Sequence, residues 1–392
     1  MDEAKRTERP ASLADVRDLL LDEPGTLLFT GSGTKLDWGA PPDADVDLVV
    51  ETSGLDRIRA YDAADATVSV EAGLPLHHLQ EELADARQWL AIDPPLGDDG
   101  ATVGGVFATN DYGPSRLSSG GMRDLVIGLT VLLADGSVGR SGGKVIKNVA
   151  GYDLGKLFCG SFGTLGLITE LTLRVHPLPE ASVTVTVPAD ADGATAATRA
   201  LRASTVEPTA IDWAEDTLWI RLRGMRDAVR SQAEQVRTLL GERGANGAQT
   251  LSGDDEAAAW ERLVEGLAGG QGETVLRAAT LPNQTAKAAA ALRDAATDAG
   301  AQAALHSHAA VGLHTARLYD GDVGAHAQAL TSWRAALGEL GGWTSVRRPL
   351  SGLSEHVDLW GPAPAAVGLM RRVKEQFDPQ RRCAPGRFVG GI

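Results

Sequence analysis

Between Thr26 and Pro177 the apolar positions fall into two patterns. In "TLLFTG", "DVDLVVET", "ATVSVEAG" and "VIGLTVLLADG", aliphatic and β-branched residues close on glycine or a polar turn, which predicts strands. "GLITELTLRVHP" alternates. Its Leu167, Leu171, Leu173 and Val175, with Thr169 among them, take one face, and Glu170, Thr172 and Arg174 the other. After Pro75 the period lengthens. Leu76, Leu79, Leu83 and Leu90 then share one face by three-to-four spacing, which predicts a helix through "LHHLQEELADARQWL". Pro177 and Pro179 punctuate a boundary.

Beyond that boundary the pattern changes. Alanine-rich helical windows, "AVRSQAEQVRTLLGER" and "QTAKAAAALRDAATDAG", alternate with the strand-like "TLWIRLRG" and "HTARLYDG". This predicts an α+β unit, with helices packed on one sheet. No repeat of fixed period is visible. Near the end an amphipathic helix carries Met370, Val373 and Phe377 on one side, and "FDP" stops it. "QRRCAPGRF" then reads as a basic loop, with an exposed tail as its default.

The chain has 392 residues and a net charge of −15. Its length predicts two or three compact units. An acidic surface argues against nucleic acid or anionic membrane as partner. No apolar run reaches the roughly 20 residues of a membrane span, and "MDEAKRTERP" lacks the apolar core of a signal peptide, so a cytoplasmic protein is expected. The two cysteines, Cys159 and Cys383, are too few thiolates for an iron–sulfur cluster. Any electrons must therefore travel on an organic cofactor.

Glycine is concentrated in three segments: "TGSGTK" from Thr30, "GDDGATVGGVFATNDYG" from Gly97, and "GYDLGKLFCGSFGTLG" from Gly151. Interior glycine weakens helices and strands alike, so some other need keeps it there. Bare backbone lets a ligand come close and lets successive N–H groups converge on phosphate oxygens. The P-loop pattern is absent: Gly139 to Lys144 and Gly151 to Lys156 are each one residue short, and neither lysine precedes Ser or Thr. The GxGxxG fingerprint begins at Gly31 and Gly33 but meets Leu36. A tight turn would explain any one segment, but three together, each beside a strand or helix start, favour a diphosphate ligand outside those two folds.

These segments resemble the flavoproteins of the vanillyl-alcohol oxidase or PCMH type, and within them the FAD-binding subunit of bacterial glycolate oxidase. The likeness is carried by "TGSGTK", "GATVGGVFATND", "GGKVIKNVAGYDLGKLFCGSFGTLGLITELTLRV" and "FDPQRRCAPGRF". The most specific part is KNxxGYDL followed by GSxGTLGxIT. The resemblance implies an α+β fold with a two-subdomain PCMH-type FAD-binding domain over residues 1–179. An α+β cap would cover 180–350, and 351–392 would return to the flavin. It also implies noncovalent FAD held by Thr30, Gly31, Ser32, Gly33, Thr34 and Lys35, by Thr102, Gly104, Gly105, Thr109 and Asn110, and by Gly163, Thr164, Ile168 and Arg387. The chain departs from the family at Phe162, where Glu is frequent, and at Ala384-Pro385-Gly386, where NPG is usual. Lys35 stands where relatives with covalent flavin carry His.

The implied activity is oxidation of a small 2-hydroxy acid, glycolate or D-lactate, by hydride transfer to FAD. Electrons would leave through partners, a second flavin subunit and an iron–sulfur subunit. A non-catalytic electron-transfer or assembly subunit is the alternative. The related catalytic subunit carries HxGDGNxH, and the nearest stretch here is "LHSHAAVGLHTARLY". In an unbroken strand His306, His308 and His314 would face one side, which could suit a metal. The stretch has no carboxylate, and Gly312 interrupts it, so no metal site is assigned. His306, His308, His314 and Arg317 stand only as candidates for catalysis. Basic neighbours would lower the Cys383 thiol pKa, and Cys159 looks buried.

Overall fold

A computed structural model describes residues 6–143 and 151–392. The described chain divides into two units. Of the described residues, one takes in 6–112, 120–143, 151–178 and 362–392, the other 113–119 and 179–361. The chain thus returns to the first unit at Pro362 rather than at residue 351, and 113–119 joins the second unit.

The first unit has two sheets. In the smaller, Leu48–Glu51 lies between Arg6–Glu8 and Leu27–Thr30, parallel to both. The helix Leu13–Asp22, capped by the Ser12 hydroxyl, buries Val16 and Leu20 in a core with Leu27, Leu48 and Val50. Parallel neighbours need a long connection. The one from Thr30 to Leu48 contains no helix or strand, and it begins with the first glycine segment.

The larger sheet is antiparallel, in the order Ile58–Asp62, Thr67–Glu71, Leu167–Arg174, Val126–Leu132, Val138–Gly142. Leu167–Arg174 departs from the predicted alternation. Thr130 pairs with Glu170 but Val131 with Ile168, so Thr169 is an extra residue. Such a bulge resets the faces: Leu167 joins the core of the small sheet and Ile168, Leu171 and Leu173 that of the large one. The helix after Pro75 is also shorter than predicted. It ends at Asp85, Arg87 is left-handed, and Leu90 reaches the core from beyond the strand Gln88–Trp89.

The C-terminal segment is no exposed tail. After the helix Val367–Phe377 the backbone runs beside Leu27, with Leu27 N donating to Arg382 O and Ala384 N to Leu27 O. Arg382 is buried because its guanidinium donates to the carbonyls of Leu20, Glu23, Gly25 and Ala134. Cys383 is fully buried, and burial, with Asp378 beside it, pushes its thiol pKa up rather than down. Cys159 is only half-buried.

The second unit is one antiparallel eight-stranded sheet. Its order is Gln249–Ser252, Ala181–Pro188, Thr217–Gly224, Ala210–Ala214, Gln302–His308, Leu313–Tyr319, Thr274–Ala279, Trp343–Arg348. Helices Ala191–Arg202, Arg226–Gly241, Thr285–Ala299 and Val323–Glu339 bury one face of it. Their alanines (Ala194, Ala288, Ala289, Ala295, Ala329) keep the layers close. The other face carries polar side chains. On part of it Glu256, from the helix Gly253–Glu265, accepts from Ser182, Thr184 and Arg221. Among the described residues no helix is long and apolar enough to cross a membrane.

Candidate functional site

All three glycine segments reach one cleft of the first unit. Its lining includes Thr30, Gly31, Ser32, Gly33, Thr34 and Lys35 of the first, Thr102, Gly104, Gly105, Ala108 and Thr109 of the second, and Phe162, Gly163 and Gly166 of the third, followed by Leu167 and Ile168 of the next strand. Phe29, Leu36, Thr52, Ala72 and Arg387 complete it.

The glycines are dictated by contact. A Cβ on Gly31 would stand 2.2 Å from Thr102 Oγ1, and one on Gly104 would stand 2.6 Å from Ala72 Cβ and 2.7 Å from Ala72 O. Gly33 has φ +83°, a conformation that side chains disfavour. Among the described residues, the N–H groups of Ser32, Gly33 and Thr34 donate to no protein acceptor. Successive amides left open on a glycine bend form a concavity for anions, so this segment fits a diphosphate. The second segment works differently. Gly104 N donates to Ala72 O, and Gly105 N to the capping Thr102 hydroxyl, so these glycines supply close approach rather than free donors.

Other predicted residues hold the cleft's frame. The Ser32 hydroxyl donates to Gly100 O at 2.7 Å. Lys35 is buried, with Nζ 3.8 Å from Asp111 and 5.4 Å from the Trp38 ring centre. Arg387 Nη2 donates to Leu36 O at 2.8 Å, with Lys35 O and Trp38 O at 3.4 and 3.3 Å, and so pins the loop after the first glycines. Burial lowers the Arg387 pKa to about 10 although Asp37 opposes it. Two residues fall outside the lining. Asn110 ends the short helix Val103–Thr109 in a left-handed conformation. Thr164 is buried, its hydroxyl donating to Ser161 O. Lys147 and Asn148, of the KNxxGYDL motif, lie outside the described residues.

Residues 5–142 match the FAD binding domain family, and residues 361–388 match the C-terminal domain of the FAD linked oxidases. The first unit carries an FAD-binding domain. Glycolate oxidase subunit GlcE of Escherichia coli is 35% identical over 181 residues, 46% of this chain and 51% of that protein, so the match spans about half the relative's length. A D-lactate dehydrogenase of Archaeoglobus fulgidus is 39% identical over 38% of this chain and 33% of its own. The solved structure of p-cresol methylhydroxylase with substrate bound superposes with a TM-score of 0.73 at 16% identity, covering 97% of this chain and 88% of that one. That likeness establishes the PCMH-type fold, α+β throughout. FAD is the cofactor of the FAD-binding domain.

The histidine stretch is not one face. Gly312, with φ +69°, turns the chain between Gln302–His308 and Leu313–Tyr319, and His314 pairs with Ser307. Directly paired residues share a face, so His314 points with Ala316 and Leu318 toward the helices. There its Nδ1 lies 3.0 Å from Ser307 Oγ and its Nε2 2.9 Å from Thr280 Oγ1. His306 and His308 point to the opposite face and meet a carboxylate that local reading missed. Asp212, from the neighbouring strand, lies 2.8 Å from His306 Nε2 and 3.1 Å from His308 Nδ1. Burial pushes the Asp212 carboxyl up, but His308 and the imidazole hydrogen bonds outweigh it and hold it below the carboxylate range. Burial also lowers His306, more than Asp212 restores. Arg317 is occupied by Glu273 at 3.4 Å.

His314 makes the second unit sensitive to acid. Burial lowers its pKa to about 3, with His308 and His306 adding to the effect. An unfolded chain binds that proton near 6.5. The stability is therefore complete above pH 6.5 and falls below it, by about 1.4 kcal/mol per pH unit until pH nears 3. His314→Asn should flatten the loss between pH 6.5 and 4.5, read from urea midpoints of the two proteins. Parallel curves would show that His314 is not the group responsible.

Proposed function

We propose that the chain binds FAD noncovalently and oxidises a small 2-hydroxy acid, glycolate or D-lactate, handing electrons to partner subunits. The observation that carries this reading is the cleft, where three open amides and three glycine segments meet in a domain whose relatives bear those substrates in their names. When bound, FAD supplies the two-electron acceptor for the substrate's carbon–hydrogen bond. Ser32, Gly33 and Thr34 donate their N–H groups to the diphosphate. Gly31, Gly104 and Gly105 keep the space beside it clear. Phe29, Ala72, Ala108, Phe162 and Leu167 supply apolar wall for a flat ring.

Lys35, held by Asp111 and Trp38, is not a residue that bonds flavin carbon, so acid or heat should release the cofactor intact. Neither cysteine offers an electron route, since two thiols hold no cluster. A second flavin subunit and an iron–sulfur subunit would complete the chain of transfer. A non-catalytic electron-transfer role is favoured by one observation. His314, in the stretch nearest the HxGDGNxH motif, is buried and engaged on both ring nitrogens.

Anaerobic mixing separates the two. If the chain oxidises substrate, glycolate or D-lactate should bleach the flavin absorbance near 450 nm, for the chain alone or with its partner subunits. A yellow protein that no 2-hydroxy acid bleaches under either condition is an electron-transfer subunit. A purified protein from which acid releases no flavin rejects both.

A further inference from the structure

The polar face of the second unit's sheet carries a second chemistry. His306 and His308 alternate onto one face of Gln302–His308, and Asp212 is the direct neighbour of His308 on Ala210–Ala214. One ring nitrogen from each of His306 and His308 and one Asp212 oxygen lie within 4.8 Å of one another. The Asp212 separations are 2.8 and 3.1 Å. Metal–ligand bonds of 2.0–2.2 Å place neighbouring ligand atoms about 3–3.5 Å apart, so these two edges already stand near that spacing. All three side chains are buried: Asp212 is 1% exposed, His308 3% and His306 9%.

A buried carboxylate calls for compensating positive charge. Among the described residues Asp212 forms ion pairs only with these two imidazoles, while Arg317 nearby is paired with Glu273. On the His306 side a cavity of about 570 Å³, lined also by Thr315 and Trp219, leaves room for water to complete a coordination sphere. We propose that Asp212, His306 and His308 bind one divalent transition-metal ion, with zinc as the representative, in a three-ligand site whose His306 edge borders that cavity. Two imidazoles and a carboxylate suit borderline first-row ions rather than calcium or magnesium.

The site differs from the HxGDGNxH motif. That motif's histidines stand seven positions apart, and seven before His314 is Ser307. Ser307 and His314 hydrogen-bond to each other on the helix-covered face, whereas the three proposed ligands lie on the other. The proposal is also independent of FAD, and its test needs no turnover.

The tag-free full chain, stripped with chelator and dialysed, is titrated with Zn²⁺ by calorimetry and loaded separately with Co²⁺. The expected results are one ion per chain at about micromolar Kd or tighter, and cobalt d–d bands. His308→Ala and Asp212→Asn should each weaken Zn²⁺ by more than the roughly 10–100-fold typical of losing an outer partner. His314→Ala should leave binding unchanged. X-ray absorption at the zinc edge of the wild-type chain serves if a variant fails to fold, and should show two imidazoles among nitrogen and oxygen neighbours. No bound zinc, an edge without imidazole scattering, or full affinity in a folded His308→Ala chain would overturn the assignment.

Discussion

Gly31→Val and Gly104→Val are each expected to strip FAD from the purified chain. At Gly31 the added carbon would lie 2.2 Å from Thr102 Oγ1, and at Gly104 it would press on Ala72 from 2.6 Å. Neither neighbour is the loose end of a long side chain. Moving Thr102 breaks its cap on Gly105 N, a loss of about 1 kcal/mol before any effect on ligand. Moving Ala72 disturbs the residue after the strand Thr67–Glu71, whose carbonyl holds Gly104 N. Together these shifts close the cleft, and an affinity loss of about 100-fold or more corresponds to roughly 3 kcal/mol.

Gly33 sets the scale for comparison. A Cβ there meets nothing closer than Leu36 at 3.6 Å, so the penalty is conformational, about 1–2 kcal/mol for a left-handed non-glycine residue. Gly33→Ala should therefore retain some flavin where Gly31→Val retains none. The readouts are flavin per chain after gel filtration and Kd by fluorescence quenching, with circular dichroism confirming the fold. Gly31→Val eluting with full flavin would sink the assignment of this cleft.

The glycine segments were legible because a missing Cβ shows in the sequence itself, even where the neighbour that requires it lies far along the chain, as Thr102 does for Gly31. The alternation of fold types across Pro177 was legible for a similar reason, since the period of apolar residues changes there. Other features depend on partners far along the chain. Strand parity places His306 and His308 on one side, but Gly312 reverses the chain and sends His314 to the other. Asp212 lies 94 positions from His306, beyond any local pattern. The bulge at Thr169 is invisible because Leu167 and Ile168 are both apolar, and either could face either core. The basic tail reads as solvated by default, and only the carbonyls of Leu20, Glu23, Gly25 and Ala134 reveal why Arg382 goes inside.

Lys374→Met is expected to unfold the first unit more readily than any other single change to the tail. Lys374, 3% exposed, donates through Nζ to Asp378 Oδ2 at 2.7 Å, Thr164 O at 2.6 Å and Cys383 O at 2.8 Å. It therefore ties the C-terminal segment to the third glycine segment. Methionine fills similar space but leaves the fully buried Asp378 carboxylate without its cation, a loss of about 3–5 kcal/mol. Lys374→Met with Asp378→Asn should recover part of that, because the second change removes the uncompensated charge, although the amide oxygen can accept from only one of Arg382 N and Cys383 N, which bond different carboxylate oxygens. Saturating FAD should raise the melting temperature of Lys374→Met, since a ligand bound only by the folded state stabilises it by mass action. Arg387 braces the cleft from the same segment, so the variant should also hold FAD less tightly. A denaturation midpoint within about 0.5 kcal/mol of wild type would mean that the buried ammonium is not what anchors the tail.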